Sequence, residues 1–158
     1  SKDYYFISES EFIARRDRDE FLEHARVFGN YYGTPAQMVE NVLGASRDVL
    51  FDIDWQGTQQ LKARAREDLV SVFILPPSRA ELHNRLTSRA QDSAGIVSAR
   101  MARASDEMSH WPEYDYIVVN EDAGAAHLQL RAILTAERLR RERQTGLPEY
   151  VKKLQKTE

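Results

Sequence analysis

The chain of 158 residues contains no cysteine, so disulfide bonds and zinc–thiolate sites are excluded. The sequence has no signal-peptide pattern, and no apolar run approaches the length of about 18 residues that suggests a membrane-spanning helix. The net charge of −3 gives no general affinity for polyanions such as nucleic acids. We therefore expect a cytoplasmic protein that binds neither membrane nor nucleic acid, in which any phosphate site is built locally.

Two glycine-rich nucleotide-binding loops are also missing, because neither GxxxxGK[ST] nor GxGxxG occurs in the sequence. The four histidines are scattered without metal-ligand spacing. A strand-like segment, Tyr4–Ile7, follows Ser1 almost directly, and no initiator methionine precedes it. We therefore expect the printed chain to begin partway through a longer protein.

The spacing of apolar residues predicts an α/β protein. Strands are predicted at 4–7, 21–28, 49–54, 70–75 and 114–119, with a turn-rich loop at 29–33. Helices are predicted at 9–18 after a Ser8 capping box, at 34–44 with Thr34 as N-cap, and at 56–66, 78–86, 96–110 and 123–144, ahead of a surface tail. The alternation of strands and helices after Val49 is typical of βαβ units with a parallel sheet.

Two carboxylates, Asp52 and Asp54, stand at the C-terminal end of the mostly apolar run 49–53. Side chains alternate along a strand, so both would point to the same side, and ligands of α/β sheets bind beyond the carboxyl ends of the strands. Two desolvated carboxylates repel each other unless a cation or a donor-rich ligand lies between them. The alternative is that the strand frays into a solvated acidic turn.

Arginines cluster on the two helices that flank the polar break at 91–95. Arg85 and Arg89 are four residues apart on the first helix, and Arg100 and Arg103 lie on the second. Two such helices joined by a hinge could close over a polyphosphate and deliver guanidinium groups to it, as phosphoryl transfer requires. The alternative is a pair of solvated charged helices.

A third group of candidate residues surrounds Glu23, a carboxylate within an otherwise apolar strand. If Glu23 is buried it needs donors, and guanine offers N1–H and its exocyclic amine to a single carboxylate. Adenine has an unprotonated N1 at that place, so a buried glutamate would select guanine. Tyr4, Tyr32 and Thr34 add hydroxyl groups nearby, although a strand-edge glutamate beside turn tyrosines is the ordinary interpretation.

Taken together, these segments resemble guanylate kinase. The resemblance covers nearly the whole chain and rests on Phe21–Glu23, Phe28–Thr34, Leu50–Gly57, Phe73–Ser78 and Ile117–Asp122, of which the GNYYGT and DIDxQG combination is the most specific. It implies a P-loop NTPase-like nucleoside monophosphate kinase, with a parallel sheet flanked by helices, a small mixed β/α GMP-binding subdomain and a helical lid. It also implies the reaction of ATP and GMP to ADP and GDP with Mg²⁺, by a monomer or homo-oligomer.

The resemblance assigns the GMP site residue by residue. Tyr4 and Tyr32 match the tyrosines that bind the GMP phosphate, and Glu23 matches the carboxylate that reads guanine. Thr34 stands in a matching hydroxyl position, and Asp54 is a further guanine contact.

The same resemblance assigns the ATP and magnesium side of the reaction. Asp52 matches the strand-end aspartate that acts on magnesium indirectly. Arg85, Arg89 and Arg100 match lid arginines that approach the transferring phosphoryl group, Arg89 and Arg100 also as ATP contacts, and Asn120 lies in the segment near the ATP nucleoside.

The chain departs from the family pattern in two places. The family's P-loop precedes the position of Ser1, so the printed chain by itself is expected to be inactive. The lid sequence Ser88-Arg89-Ala90 replaces glycine-arginine-glycine.

Two alternative functions stay open: a guanylate-kinase-like binding module for GMP or a phosphopeptide, and a related sugar-bisphosphate kinase. The expected divisions are a partial GMP-binding subdomain (1–47), core (48–84), lid region (85–104), and core with C-terminal helix and tail (105–158).

Overall fold

The computed structural model describes residues 4–88 and 94–156, and the chain divides after Leu69 into two compact units. Within the described part of the chain, none of the helices has the length and apolar character needed to cross a membrane.

The first unit is a β-hairpin with helices packed on it. Its elements in chain order are α1 Glu9–Asp17, β1 Phe21–Val27, β2 Asn30–Pro35, α2 Ala36–Gly44 and α3 Trp55–Ala65. The strands β1 and β2 are antiparallel, with a register irregularity between Phe21 and Glu23. Phe12 of α1 stacks on Phe21 at 4.6 Å and on Tyr31 at 5.1 Å between ring centroids, which forms the centre of a small aromatic core.

The prediction of a loop at 29–33 is wrong, because most of this segment belongs to β2. Phe28 and Gly29 have φ values of 48° and 86°, and they join Val27 directly to its partner Asn30. Two consecutive left-handed residues are what a tight two-residue hairpin needs, since they match the twist of the flanking strands. The chain therefore turns within two residues, and Tyr31 and Tyr32 are strand residues.

Of the two predicted N-caps Ser8 and Thr34, the structure confirms the first and contradicts the second. The amide of Glu11 donates to Ser8 Oγ at 3.2 Å, which confirms Ser8 as the N-cap of α1. The carboxylate of Glu11 is paired instead with Arg15 at 2.6 Å, so the reciprocal half of the capping box is replaced by an ion pair. At α2 the N-cap is Pro35 and not Thr34, whose hydroxyl is used elsewhere.

The strands predicted at 4–7 and 49–54 are not formed among the described residues. Both segments are mostly apolar, but a strand also requires a hydrogen-bonded neighbour, and no described segment pairs with either. Leu50 is accordingly 96% exposed. Asp54 ends this stretch as the N-cap of α3.

The second unit is built on a parallel strand pair. Its elements are β3 Val72–Leu75, α4 Arg79–Ser88, α5 Ala94–Ser109, β4 Tyr116–Val119, α6 Ala123–Leu139 and α7 Leu147–Gln155. Val72 pairs with Tyr116 and Leu75 with Val119, which confirms the parallel arrangement predicted for these strands. The helix predicted at 123–144 ends at Leu139, and a separate 3₁₀ turn follows at Arg141–Arg143.

A buried carboxylate ties the end of α6 to β4. Glu137 is 6% exposed and accepts a 2.6 Å hydrogen bond from the Tyr116 hydroxyl. Arg140 and Arg143 lie at 3.4 and 3.2 Å from its other oxygen. The Tyr116 hydrogen bond, assisted by Arg140 and Arg143, holds the pKa of Glu137 below its usual value.

Ser71 joins the starts of β3 and β4. Its hydroxyl donates to Asp115 Oδ2 at 2.7 Å and accepts from the Asp115 amide at 3.1 Å, and its own amide donates to the same carboxylate at 2.8 Å. Ser71 is 5% exposed, so the loss of the hydroxyl would leave polar groups poorly satisfied.

We expect Ser71→Ala to lower the free energy of unfolding by about 1.5–3 kcal/mol, the usual contribution of a hydrogen bond to a charged group, because the variant loses the hydroxyl that donates to the Asp115 carboxylate. Urea unfolding followed by circular dichroism measures this change. Ser98→Ala, on an exposed position of α5, is the matched control and should stay within about 0.5 kcal/mol of the parent. Equal stabilities of the two variants would contradict the role assigned to the Ser71–Asp115 contact.

Candidate functional site

The centre of the candidate site is Glu23, which is 3% exposed in the middle of β1. Thr34 stands opposite it on β2, and the Thr34 hydroxyl donates to Glu23 Oε1 at 2.5 Å. The hairpin register thus aligns a buried carboxylate with one fixed donor. An ionised carboxylate can accept at both of its oxygens, so the hydrogen bond from Thr34 leaves Glu23 with acceptor capacity for a ligand.

The first turn of α3 lies against the same carboxylate. A Cβ atom built on Gly57 would come within 2.7 Å of Glu23 Oε2, so the glycine leaves the space that this oxygen occupies. Asp54 caps α3 by accepting from the amides of Gln56 and Gly57 at 3.0 and 3.2 Å. The Gln56 side chain donates to its other oxygen at 2.9 Å. Asp54 is therefore oriented as a helix cap.

Burial raises the pKa of Glu23, and the negative charge of Asp54 raises it further. The hydrogen bond from Thr34 acts in the opposite direction and favours the ionised form. Two nearby carboxylates with one desolvated member make a site that gains from a ligand with several N–H donors.

The structure brings together the two tyrosines that the sequence singled out. The rings of Tyr4 and Tyr32 meet edge-on with centroids 6.2 Å apart. The side chains are exposed by 59% and 43%, so both stand at the surface of the first unit. Asp52 is exposed as well.

In the second unit, Arg85 is fixed against the segment that follows β4. Its guanidinium donates to Glu81 at 2.6 Å, to the Asn120 carbonyl at 3.0 Å and to the Glu121 carbonyl at 3.5 Å. Arg85 and Asn120 are thus neighbours, although they are 35 positions apart in the sequence. Within the described residues, Asn120 Oδ1 is a buried oxygen without a hydrogen-bond partner, and a ligand N–H could satisfy it.

The remaining predicted arginines are Arg89, Arg100 and Arg103. Arg89 lies outside the described residues. Arg100 is on α5, where it is half-buried, and Arg103 on the same helix forms an ion pair with Glu107 at 2.9 Å.

Sequence reasoning missed two residues of this site, Gly57 and Gln60. Gly57 was visible only as part of the DIDxQG motif, and its closeness to Glu23 is a long-range contact. Gln60, which hydrogen-bonds the main chain of β1 at His24, carries no motif of its own.

The comparisons with known proteins agree on one family. The guanylate kinase family model matches residues 1–137. Guanylate kinases of Paramagnetospirillum magneticum and Nitrobacter winogradskyi are 61% and 57% identical, over 97% and 98% of this chain and 72% and 71% of theirs. The crystal structure of guanylate kinase from Anaplasma phagocytophilum is 38% identical with a TM-score of 0.83, and the match covers 100% of this chain and 77% of that chain.

The resemblance first suggested by the Glu23, GNYYGT and DIDxQG segments is confirmed by the family match, the close relatives and the shared fold. This chain belongs to the guanylate kinase family.

Proposed function

We propose that this protein transfers the terminal phosphoryl group of ATP to GMP, giving ADP and GDP in purine nucleotide metabolism. The observation that carries the proposal is the buried Glu23 carboxylate, held by Thr34 and left room by Gly57. Such a carboxylate in the first unit suits a ligand that presents two adjacent N–H groups, as guanine does. Both substrates are small molecules available in the cytoplasm, which we take as the place of action.

In this proposal, guanine is selected by Glu23. Guanine N1–H and the exocyclic amine donate to the carboxylate, while Thr34 keeps it oriented and Asp54 offers a further acceptor. Adenine would bring its unprotonated N1 against the buried charge and leave the carboxylate poorly satisfied. Discrimination of this kind reaches about 10⁴–10⁵-fold in sites built to hydrogen-bond one substrate.

The phosphate of GMP is assigned to Tyr4 and Tyr32. Their adjacent, exposed rings leave the hydroxyl groups able to donate to phosphate oxygens. Hydroxyl donors hold a phosphate without neutralising it, so the oxygen that attacks ATP keeps its charge.

The ATP side of the site is assigned to the second unit. Asn120 offers an unsatisfied buried oxygen, which fits an amino group of the ATP base. Arg85, Arg89 and Arg100 supply positive charge to the transferring phosphoryl group. Arg85 does so from a fixed position, because Glu81 and two main-chain carbonyls hold its guanidinium.

Magnesium is assigned to Asp52. The described residues contain no group of three or more His, Cys, Asp or Glu side chains that could hold a metal ion. A single exposed carboxylate fits magnesium all the same, because this ion usually keeps several waters and is otherwise bound by substrate phosphates. When bound, magnesium neutralises phosphate charge.

The chemical step needs little more than alignment and charge neutralisation. A phosphate oxygen of GMP attacks the γ-phosphorus of ATP, the bond to the β,γ-bridging oxygen breaks, and ADP leaves. The protein's part is to hold the two phosphates in line and to stabilise the charge on the transferring group.

A coupled assay of ADP formation tests the proposal. Protein from the complete reading frame, with ATP and Mg²⁺, should use GMP with a kcat/KM about 10³-fold or more above that for AMP. Turnover of neither nucleotide would overturn the kinase proposal. If calorimetry then detected GMP binding without turnover, the protein would be a GMP-binding module.

The pKa of Glu23 gives the proposal a pH signature. GMP binding requires the ionised carboxylate, and the raised pKa means that protonation begins at a higher pH than the ordinary value of 4.5 would give. We therefore expect GMP affinity to fall, as the pH is lowered, earlier than an unperturbed glutamate would allow. Calorimetry across this pH range measures it. Glu23→Gln is the control for titration of the GMP phosphate, and an identical pH profile in both proteins would contradict the assignment.

A further inference from the structure

Gln60 of α3 pairs with the main chain of β1 as a neighbouring strand would. Its Oε1 accepts from the His24 amide at 3.0 Å, and its Nε2 donates to the His24 carbonyl at 2.7 Å. Both main-chain groups of His24 are thereby satisfied by a single side-chain amide, and the side chain is half-buried. One glutamine thus caps the edge of β1 that faces away from β2.

The residue it holds is the immediate neighbour of Glu23. A second contact from α3 lies on the other side of Glu23, where Arg64 donates to the Phe21 carbonyl at 3.0 Å. Side chains of α3 therefore hydrogen-bond the main chain of β1 on both sides of Glu23, the carboxylate that is proposed to bind guanine. Movement of the strand along or away from the helix would carry Glu23 with it.

The same face of α3 also receives the Glu23 carboxylate. Gly57 is three residues before Gln60, and positions three or four apart are neighbours on a helix surface. Glu23 Oε2 stands so close to Gly57 that an added Cβ would be 2.7 Å away, while Oε1 is bonded to Thr34. The carboxylate consequently has little freedom, and its place is set by the spacing between β1 and α3.

We propose that Gln60 is a positioning residue for base selection, because its double hydrogen bond to His24 sets where Glu23 meets guanine. The inference rests on the proposed guanylate kinase function and deepens it. Two N–H···O bonds to one carboxylate must both lie within hydrogen-bond range, so a small strand displacement weakens the contact to guanine. A nucleotide that makes no bond to Glu23 loses nothing by this displacement.

Gln60→Met tests the proposal, because methionine has a similar length and cannot pair with His24. We expect kcat/KM for GMP to fall about tenfold while that for AMP changes by less than about twofold. Gln60→Glu keeps the acceptor for the His24 amide and loses the donor to the His24 carbonyl. Its GMP selectivity should therefore lie between that of the parent protein and that of Gln60→Met. Gln59→Met makes the same change at the adjacent, exposed position and should keep the parent selectivity.

A merely structural edge cap predicts a different pattern. In that case the melting temperature would fall and the activities with GMP and AMP would fall together, and the ratio between them would stay constant. A constant GMP to AMP ratio, with or without loss of stability, overturns the proposal.

Failure of the proposed function has its own signature. A parent protein that phosphorylates neither nucleotide counts against the kinase reaction. The ratio of GMP to AMP dissociation constants, measured by calorimetry, then tests Gln60 independently of turnover. A Gln60→Met ratio unchanged from the parent overturns the role of Gln60.

Discussion

Replacement of Glu23 by glutamine is expected to lower kcat/KM for GMP by about 10³-fold or more and to abolish the preference over AMP. Glutamine has nearly the shape of glutamate and keeps one acceptor oxygen, but its NH₂ group would face a guanine donor. The NH₂ group of the glutamine and the guanine N–H that faces it would then both be buried without an acceptor, so the fit to guanine is lost. Steady-state kinetics with both nucleotides in the coupled assay measures the change.

Stability separates this result from simple misfolding. The raised pKa of Glu23 shows that burial disfavours its charge, so a neutral glutamine should fold at least as well as the parent. Glu20→Gln, at an exposed position just before β1, is the matched control and should leave the GMP to AMP ratio unchanged. If Glu23→Gln retained the parental GMP preference, Glu23 would not be the residue that reads the base.

Gly57→Ala is expected to lower kcat/KM for GMP by about 10²-fold with only a small change in stability. The new Cβ would lie 2.7 Å from Glu23 Oε2 and 3.1 Å from Ile53 Cδ1, so the carboxylate must move. Alanine in a helix otherwise gains up to about 1 kcal/mol over glycine, which offsets part of the strain. Kinetics with GMP, together with thermal unfolding, distinguishes the two effects.

Gly44→Ala provides the control for this substitution. Gly44 ends α2, and a Cβ there would meet no atom within 4 Å. Its activity should equal that of the parent, with a stability equal or slightly higher. Equal GMP kinetics for the Gly57 and Gly44 variants would show that the close approach of α3 to Glu23 is unimportant for the reaction.

Local chemistry explains which parts of the fold were predictable. Ser8 and Ser78 each accept a hydrogen bond from the amide three residues on, and both helix starts follow from residue type alone. The parallel pair at β3 and β4 was visible as two short apolar runs separated by helical sequence. By contrast, 49–53 has the same apolar character without a paired strand among the described residues, because pairing depends on a distant segment.

The candidate site shows the same division. The motif pointed to Glu23, Thr34 and Asp54, but the single-sequence pattern treated Thr34 as a helix cap. The hairpin register overrides that local preference, since it puts the Thr34 hydroxyl opposite Glu23. Gly57 and Gln60 lie against β1 through contacts that span more than thirty positions of sequence, which no local pattern encodes.

Folding shifts the pKa values of Glu23 and Glu137 in opposite directions, one in each unit. Glu23 has a raised pKa, so the folded first unit holds its proton more tightly, and its stabilising contribution is lost as the pH rises through that pKa. Glu137 has a lowered pKa, so its contribution is present above the ordinary value of 4.5 and is lost as the pH falls through the folded-state value. On unfolding in mild acid, Glu23 releases a proton and Glu137 takes one up. Acid therefore weakens the contacts at the end of α6, while it neutralises the charge that is buried in β1.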